Sequence, residues 1–273
     1  MKEWLKSNKK VTRVIKDVAE LANYLWQRGW AERNAGNISY NLSGMIQEDL
    51  SNMDEYPVFG LDRGYPELGG GYFFVTGTGK RMRDLARNPM KNACIIKVSD
   101  DGRHYHIISR NKKNLYDFRP TSELPTHLAI HEQLKLNDSP NRAVVHTHPN
   151  ELVALTQIKE FQQEKELNRI LWGMHPEAIV FVPNGLALVP YILPGTETIA
   201  QATLDRLSDS EVIMWEKHGT FAVGEDVLDA FDKIDIMSKS ARIFFMVRQA
   251  GYVPEGLTDE QINELKKKFH PEN

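Results

Sequence analysis

The sequence predicts an α/β fold in which a mixed or mainly antiparallel sheet is covered by helices. Apolar residues recur at helical spacing over residues 11–28 and 228–245, which indicates two long amphipathic helices. Strand-like runs alternate irregularly with helical segments, and several neighbouring runs are joined by tight turns, as at "SDDG" (99–102). Because tight turns connect antiparallel neighbours, most of the sheet is expected to be antiparallel.

The N-terminal half begins with a helix over 11–28 that stops before Gly29, followed by a strand over 38–42. The segment 41–71 is rich in Gly and Pro and lacks periodicity, so we expect a long surface excursion. Strand sequence resumes at "GYFFVTGTGK" (71–80), and residues 93–98 and 104–109 form a predicted hairpin.

In the C-terminal half, "RPTSELPTHLAIHEQL" (119–134) is typical of a loop entering a helix, with Thr121 or Ser122 as the N-cap. A strand over 143–148, a helix from Asn150 and two strands in "EAIVFVP" (177–183) and "LALVPYILP" (186–194) are predicted next. A helix at 198–209, a strand pair at 211–224, the long helix and a tail at 253–273 with a short helix complete the chain.

Composition points to an ordinary globular protein, because 26% of the 273 residues are charged, 41% are hydrophobic and the formal net charge is −3. The basic stretch at Lys6, Lys9, Lys10 and Arg13 is short, and a solvated helix face explains it better than a nucleic-acid contact. The sequence has no apolar run long enough to cross a membrane and no signal-peptide pattern at its start. We therefore expect one domain over residues 1–273, located in the cytoplasm, without nucleic-acid or membrane partners.

The single cysteine, Cys94, excludes an intramolecular disulfide and a cysteine-rich metal site. It lies within the apolar strand-like run "NACIIKV", where a buried small side chain is the expected role. Any metal ion would then be held by histidines and carboxylates.

Two histidines stand two residues apart in "AVVHTHP" (143–149), so on a strand both side chains would point to the same face. A zinc site needs at least one further ligand. His218, at a strand end before Gly219, is the leading candidate to join His146 and His148, because glycine permits a sharp bend there.

Two other histidine pairs have metal-compatible spacing. His104 and His106 alternate within the predicted hairpin and are interpreted as a solvated face. His127 and His131 are four residues apart on a helix and could belong to the core or support the site. Spacing alone does not choose among the three pairs.

Three stretches could bind an anion. "RNAGN" (33–37) and "VTGTGK" (75–80) place glycines and small polar residues in loops, and "PTSELP" (120–125) places two hydroxyls at a helix start. Each stretch is also explained as an ordinary turn or helix cap.

Taken together, "RNAGN", "VTGTGK", "PTSELPTH", "VVHTHP" and "KHGTF" resemble the class II aldolase family, whose fold is shared by the adducin head domain. The motifs occur in the family's order, and the resemblance covers about residues 11 to 250. It implies a three-layer helix/sheet/helix domain with a mainly antiparallel central sheet. It also implies a homotetramer with active sites at subunit interfaces.

The resemblance further implies roles for individual residues. One zinc ion per subunit is expected on His146, His148 and His218, and Glu123 is expected to be the catalytic acid/base. Glu177, in "HPEAIV", matches a glutamate that reaches the site from the adjoining subunit. The residues expected around a substrate phosphate are Asn34, Gly36, Asn37, Thr78, Gly79, Thr121 and Ser122. Two positions depart from the family pattern: Ala35 replaces a usual glycine and Thr78 a usual serine.

The activity implied is cleavage of a ketose 1-phosphate to dihydroxyacetone phosphate and an aldehyde through an enediolate whose charge the metal stabilises. Overall length, the segment before "YFFVTGTGK" and "LWGMHPE" (171–177) resemble one longer branch of these aldolases. The shorter L-fuculose-1-phosphate aldolases and the pentulose-phosphate 4-epimerases remain alternatives on the same site. A non-catalytic adducin-type binding module is a remote alternative, because the three histidines and Glu123 are all present.

Overall fold

The computed structural model describes residues 7–46, 56–109 and 118–271. Nine strands form one sheet in the order β2-β5-β4-β3-β1-β6-β9-β8-β7. The strands are β1 (Asn37–Asn41), β2 (Val58–Gly60), β3 (Tyr72–Thr76), β4 (Ala93–Val98), β5 (His104–Ile107), β6 (Ala143–Thr147), β7 (Ala187–Val189), β8 (Val212–Trp215) and β9 (Gly219–Gly224). Among these strands, neighbours pair antiparallel except for β7 and β8, which are parallel. The predicted α/β class and mainly antiparallel sheet are confirmed.

Ten α-helices pack around the sheet within the described residues. They are α1 (Lys9–Gln27), α2 (Met82–Arg87), α3 (Pro89–Asn92), α4 (Leu124–Leu136), α5 (Asn150–Leu155), α6 (Glu164–Met174), α7 (Pro176–Phe181), α8 (Glu197–Leu207), α9 (Val227–Gln249) and α10 (Asp259–Phe269). Two 3-10 turns lie at Pro66–Leu68 and Lys159–Gln162. None of the helices in this part of the chain combines the length and apolarity needed to cross a bilayer.

Strand alternation divides the core between the two faces of the sheet. Ile38 and Tyr40 of β1 face the larger core, which includes the apolar side of α1 and of α9. Residues on the opposite face, such as Val144 and Phe221, pack in a core with residues of α4 and α8. The three-layer arrangement follows, and the odd-even register decides that Ser39 and His146 face α4 rather than α1.

Several sequence expectations are corrected by the structure, and two of them concern predicted strands. "EAIVFVP" forms helix α7 instead of a strand, because Pro176 starts the helix and Ala178 and Ile179 are buried in it. In "LALVPYILP" only Ala187–Val189 is a strand, since the prolines that follow cannot donate to a ladder.

The segment 41–71 is not wholly a surface excursion. Its residues 58–60 form the edge strand β2, which pairs with β5, and Tyr65 and Leu68 are buried. Residues 47–55 of the segment lie outside the described part of the chain. In the tail, α10 buries Ile262, so the expected short helix is present at Asp259–Phe269.

The N-cap of α4 is Glu123 rather than Thr121 or Ser122. Its side chain makes no capping hydrogen bond, and the hydroxyl of Thr121 instead accepts a bond from the Glu123 backbone N–H at 3.3 Å. The Glu123 carboxylate is therefore available for contacts outside the helix.

Candidate active site

A cluster of three histidines lies at one end of the central strands. One ligand-capable atom from each of His146, His148 and His218 lies within 4.8 Å of the other two. His146 lies in β6 opposite Phe221, His148 follows one residue beyond the strand, and His218 is in the turn between β8 and β9. Within the described residues this is the group of histidines, cysteines and carboxylates arranged to hold a metal ion.

Packing holds the ring of His146 in place. The ring stacks on Phe221 with centroids 4.1 Å apart and planes 18° apart, and only 1% of the residue is exposed. Its Nδ1 lies 3.1 Å from the carbonyl of Thr220, to which a neutral ring donates, leaving Nε2 to face the cluster 3.3 Å from Nε2 of His148. A second nitrogen fixed on a backbone carbonyl is the usual way in which a metal-binding histidine is oriented.

His146 and His218 are held in the neutral form that metal ions bind. Burial, followed by the neighbouring His148 and His218, lowers the pKa of His146 well below its usual value. Burial, followed by His148, lowers the pKa of His218 to about 4. The buried Nδ1 of His218 has no hydrogen-bond partner among the described residues. The donor set therefore fits a divalent ion that prefers nitrogen ligands.

Gly219 is required beside the cluster for a different reason from the one expected. Its φ is not positive, and the left-handed residue of this turn is Lys217, with φ 61°. A Cβ on Gly219 would lie 2.6 Å from Cδ2 of His148, 2.7 Å from the carbonyl of Thr147 and 3.0 Å from Cε1 of His146. Close approach of β9 to two histidines, rather than a sharp bend, explains this glycine.

Glu123 lies beside the histidines at the start of α4. Its Oε2 is 3.7 Å from Nε2 of His146 and accepts a hydrogen bond from Nδ2 of Asn37 at 2.9 Å. Burial raises the pKa of the Glu123 carboxyl, and the Asn37 hydrogen bond opposes that effect. A carboxyl group whose pKa is raised is protonated more readily than an ordinary one, which suits a general acid or base.

Two further loops line the same cavity. Thr78 N–H donates to the carbonyl of Arg119 at 3.0 Å, and Thr121 N–H donates to that of Thr76 at 2.8 Å. These bonds bring the "VTGTGK" and "PTSELP" motifs together. The Thr78 amide is thereby occupied within the protein, so its hydroxyl rather than its N–H is the group left for a ligand.

The "RNAGN" loop forms the third wall because Asn37 pairs with His146 across β1 and β6. Gly36 has φ +77°, and a Cβ there would lie 3.0 Å from the His146 carbonyl. Ala35 does not adopt a left-handed conformation, which explains why alanine is accepted where the family usually has glycine.

The three walls and the histidines enclose one cavity of about 380 Å³. It brings together every expected site residue except Glu177: Asn34, Gly36, Asn37, Thr78, Gly79, Thr121, Ser122, Glu123, His146, His148 and His218. Glu177 lies in α7, where its carboxylate pairs with His175 at 2.9 Å, and it does not line this cavity.

Sequence reasoning missed Glu32 and Arg33, which also line the cavity. The Glu32 carboxylate lies 3.1 Å from Nδ1 of His148, on the side away from the cluster. Its position directly before "RNAGN" was the available signal.

The other two histidine pairs lie outside the cluster. His104 is exposed on β5, as expected for a solvated face, whereas His106 of the same pair is only partly exposed. His127 and His131 are fully buried on α4, and the Ser39 hydroxyl lies between them.

The chain belongs to the class II aldolase and adducin family. The family model described as "Class II Aldolase and Adducin N-terminal domain" matches residues 16–245. A rhamnulose-1-phosphate aldolase of Bacteroides thetaiotaomicron is 43% identical over 271 residues, and the match covers 99% of both chains. A rhamnulose-1-phosphate aldolase of Listeria welshimeri is 34% identical over 263 residues, covering 94% of this chain and 91% of the relative.

Solved structures share the fold. The crystal structure of a sugar-phosphate aldolase from Thermotoga maritima has a TM-score of 0.75 and 32% identity, and the match covers 90% of this chain and 100% of that one. The L-fuculose-1-phosphate aldolase from Thermus thermophilus has a TM-score of 0.56 and 18% identity, covering 90% and 99%. The latter likeness concerns the fold alone.

Proposed function

We propose that this protein is a zinc-dependent aldolase that reversibly cleaves L-rhamnulose 1-phosphate to dihydroxyacetone phosphate and L-lactaldehyde. The observation that carries the proposal is the convergence of three histidines and one carboxyl group, Glu123, within a single cavity. The full-length similarity to rhamnulose-1-phosphate aldolases supports the choice of substrate. The long segment before "YFFVTGTGK" and the stretch "LWGMHPE" favour the same choice over the shorter fuculose and pentulose enzymes.

The metal site consists of His146, His148 and His218. A zinc ion held there would act as a Lewis acid that stabilises the negative charge left on the dihydroxyacetone phosphate fragment when the bond between C3 and C4 breaks. Zinc is the metal we propose because three imidazole nitrogens are a ligand set found in catalytic zinc sites.

The phosphate is bound by the "RNAGN" and "VTGTGK" loops and by the "PTSELP" segment at the start of α4. The groups assigned to it are Asn34, Gly36, Asn37, Thr78, Gly79, Thr121 and Ser122. The side-chain amide of Asn37 also donates to the Glu123 carboxylate. Holding the phosphate fixes the distance of C3 from Glu123, which converts binding energy into positioning.

Glu123 moves the proton at C3. In the cleavage direction the C4 hydroxyl loses its proton as the aldehyde forms, and C3 gains one as dihydroxyacetone phosphate is completed. Glu123 delivers the proton to C3, and its raised pKa suits that task. Glu177 of a neighbouring subunit, or a water or tyrosine beside it, accepts the proton from the C4 hydroxyl.

That assignment of Glu177 requires an oligomer, because in its own chain the residue lies outside the cavity. We propose a homotetramer with active sites at subunit interfaces. We also propose that the enzyme acts in the cytoplasm on a small-molecule sugar phosphate.

The direct test is an aldehyde-release assay on L-rhamnulose 1-phosphate, L-fuculose 1-phosphate and L-ribulose 5-phosphate, with and without chelator. We expect release of aldehyde from the rhamnulose substrate and loss of release after chelation, with recovery on adding zinc. Epimerisation of the pentulose without aldehyde release, or activity indifferent to chelator, would contradict the proposal.

A variant pair assigns the residues. Glu123→Gln is expected to keep bound metal and fold but to lose about 10²-fold or more of kcat, since general acid/base catalysis contributes about that much. Glu160→Gln, on the surface away from the cavity, is the matched control. Retention of near wild-type turnover by Glu123→Gln would refute the proton-transfer role.

A further inference from the structure

A continuous row of buried polar side chains leads from the inside of α4 to Glu123. His131 Nε2 lies 2.8 Å from the hydroxyl of Ser39, and that hydroxyl lies 2.7 Å from Nδ1 of His127. The other nitrogen of His127, Nε2, contacts Oδ1 of Asn37, whose Nδ2 donates to Glu123. The four residues before Glu123 are each at most 7% exposed, so water does not compete for these bonds.

While Glu123 is ionised, each bond in the row has only one direction. A carboxylate only accepts, so Asn37 presents Nδ2 to Glu123 and Oδ1 to His127. His127 must then carry its hydrogen on Nε2, which leaves Nδ1 to accept from the Ser39 hydroxyl. The Ser39 oxygen in turn accepts from Nε2–H of His131.

The histidines in the row are neutral, as this pattern requires. Burial lowers the pKa of His127 to about 3, and burial followed by His127 lowers the pKa of His131 to about 3. A neutral imidazole has one donor and one acceptor nitrogen, so fixing one bond fixes the other.

Asn37 needs such a constraint because its side-chain amide could rotate by half a turn, which exchanges the positions of Oδ1 and Nδ2. A half-turn would place Oδ1 against the Glu123 carboxylate, two acceptors facing each other, and the carboxylate would lose its donor. The strand register alone does not prevent this rotation, since it fixes only the backbone of Asn37 opposite His146.

We propose that His131, Ser39 and His127 form a chain in which each residue donates a hydrogen bond to the next. This chain fixes the Asn37 amide and thereby positions the Glu123 carboxylate. The proposal rests on the acid/base role proposed above for Glu123. His127 is a positioning residue in this scheme, because it acts on the reaction only through Asn37.

Two amide substitutions at His127 provide a matched test. In His127→Gln the terminal amide reaches roughly the place of Nε2 and can still donate to Asn37, whereas in His127→Asn the shorter side chain reaches only the place of Nδ1. Both variants lose the imidazole and its contact with Phe221, so their effects on packing are similar. Both are assayed as the full-length, metal-loaded enzyme on L-rhamnulose 1-phosphate.

We expect kcat of His127→Asn to fall about tenfold or more below that of His127→Gln, because Asn37 can then rotate and the Glu123 carboxylate loses its hydrogen bond. KM and bound metal are expected to differ less than about twofold between the two variants, since neither the phosphate loops nor the metal ligands change. Equal kcat in the two variants would overturn the proposal. A fall in metal content confined to His127→Asn would also overturn it, because the role would then be structural support of the metal site.

Neutron diffraction from perdeuterated crystals of the wild-type protein gives a readout independent of activity. Deuterium is expected on Nε2 of both His127 and His131, with the Ser39 deuteroxyl directed at His127 and the Asn37 ND₂ group directed at Glu123. Deuterium on Nδ1 of His127 would refute the chain. If Glu123→Gln stays active while this pattern is found, the acid/base proposal fails and the chain is a core feature only.

Discussion

Substituting Gly219 by alanine tests whether the close approach of β9 to the histidines sets the metal site. An added Cβ would stand 2.6 Å from Cδ2 of His148 and 3.0 Å from Cε1 of His146, whereas ordinary contact begins at 3.4 Å. The two rings must therefore move by about 0.8 Å and about 0.4 Å, and the backbone of the turn must shift as well because the Thr147 carbonyl lies only 2.7 Å from the added Cβ. Metal–ligand distances tolerate only about 0.2 Å, so we expect metal affinity to fall about tenfold or more.

The assay is competition for zinc against a chromogenic chelator, combined with urea unfolding of the metal-free protein. Overpacking is expected to lower the free energy of unfolding by about 1–3 kcal/mol. Gly60→Ala is the control, because Gly60 lies in the edge strand β2 and a Cβ there meets nothing within 4 Å. Wild-type metal affinity and stability in Gly219→Ala would show that this packing does not constrain the site.

Two further predictions concern the surroundings of the site. His131 binds a proton less readily in the folded state, with a pKa of about 3, than in the unfolded chain, so its contribution to stability is complete above about pH 6.5 and is lost as the pH falls. We therefore expect the free energy of unfolding of metal-free His131→Gln to fall by about 1 kcal/mol less per pH unit than that of wild type as the pH is lowered from about 6 to 4. Urea unfolding at a series of pH values measures this, and parallel pH profiles for the two proteins would contradict it. Glu32→Ala removes the carboxylate beside Nδ1 of His148 and should lower zinc affinity about tenfold in the chelator competition, while unchanged affinity would show that Glu32 does not orient the ligand.

The long helices and the central strands were predictable because their signals are local. The apolar side of α1 recurs at helical spacing and is buried as expected, and α9 follows the same rule. The hairpin of β4 and β5 was visible from its turn residues, and the two strands around His218 from their apolar runs.

The wrong strand predictions concern short apolar runs that show neither helical nor strand periodicity. Residues 176–181 are helical although their composition favours a strand, and burial of Ala178 and Ile179 settled the choice. After Val189 the chain leaves the sheet because Pro190 and Pro194 flank a segment in which Tyr191 and Leu193 are exposed.

Motif order and residue chemistry, which can be read along the chain, were sufficient to predict the family, the three-layer architecture and most of the groups that meet in the cavity. How those groups act on one another became visible only once the chain was folded. Asn37 turns its amide to Glu123, Glu32 stands behind His148, and Gly219 admits two imidazoles by lacking a side chain. These contacts join positions far apart in the chain. Their geometry depends on strand register and packing, which cannot be inferred from the neighbouring residues in the sequence.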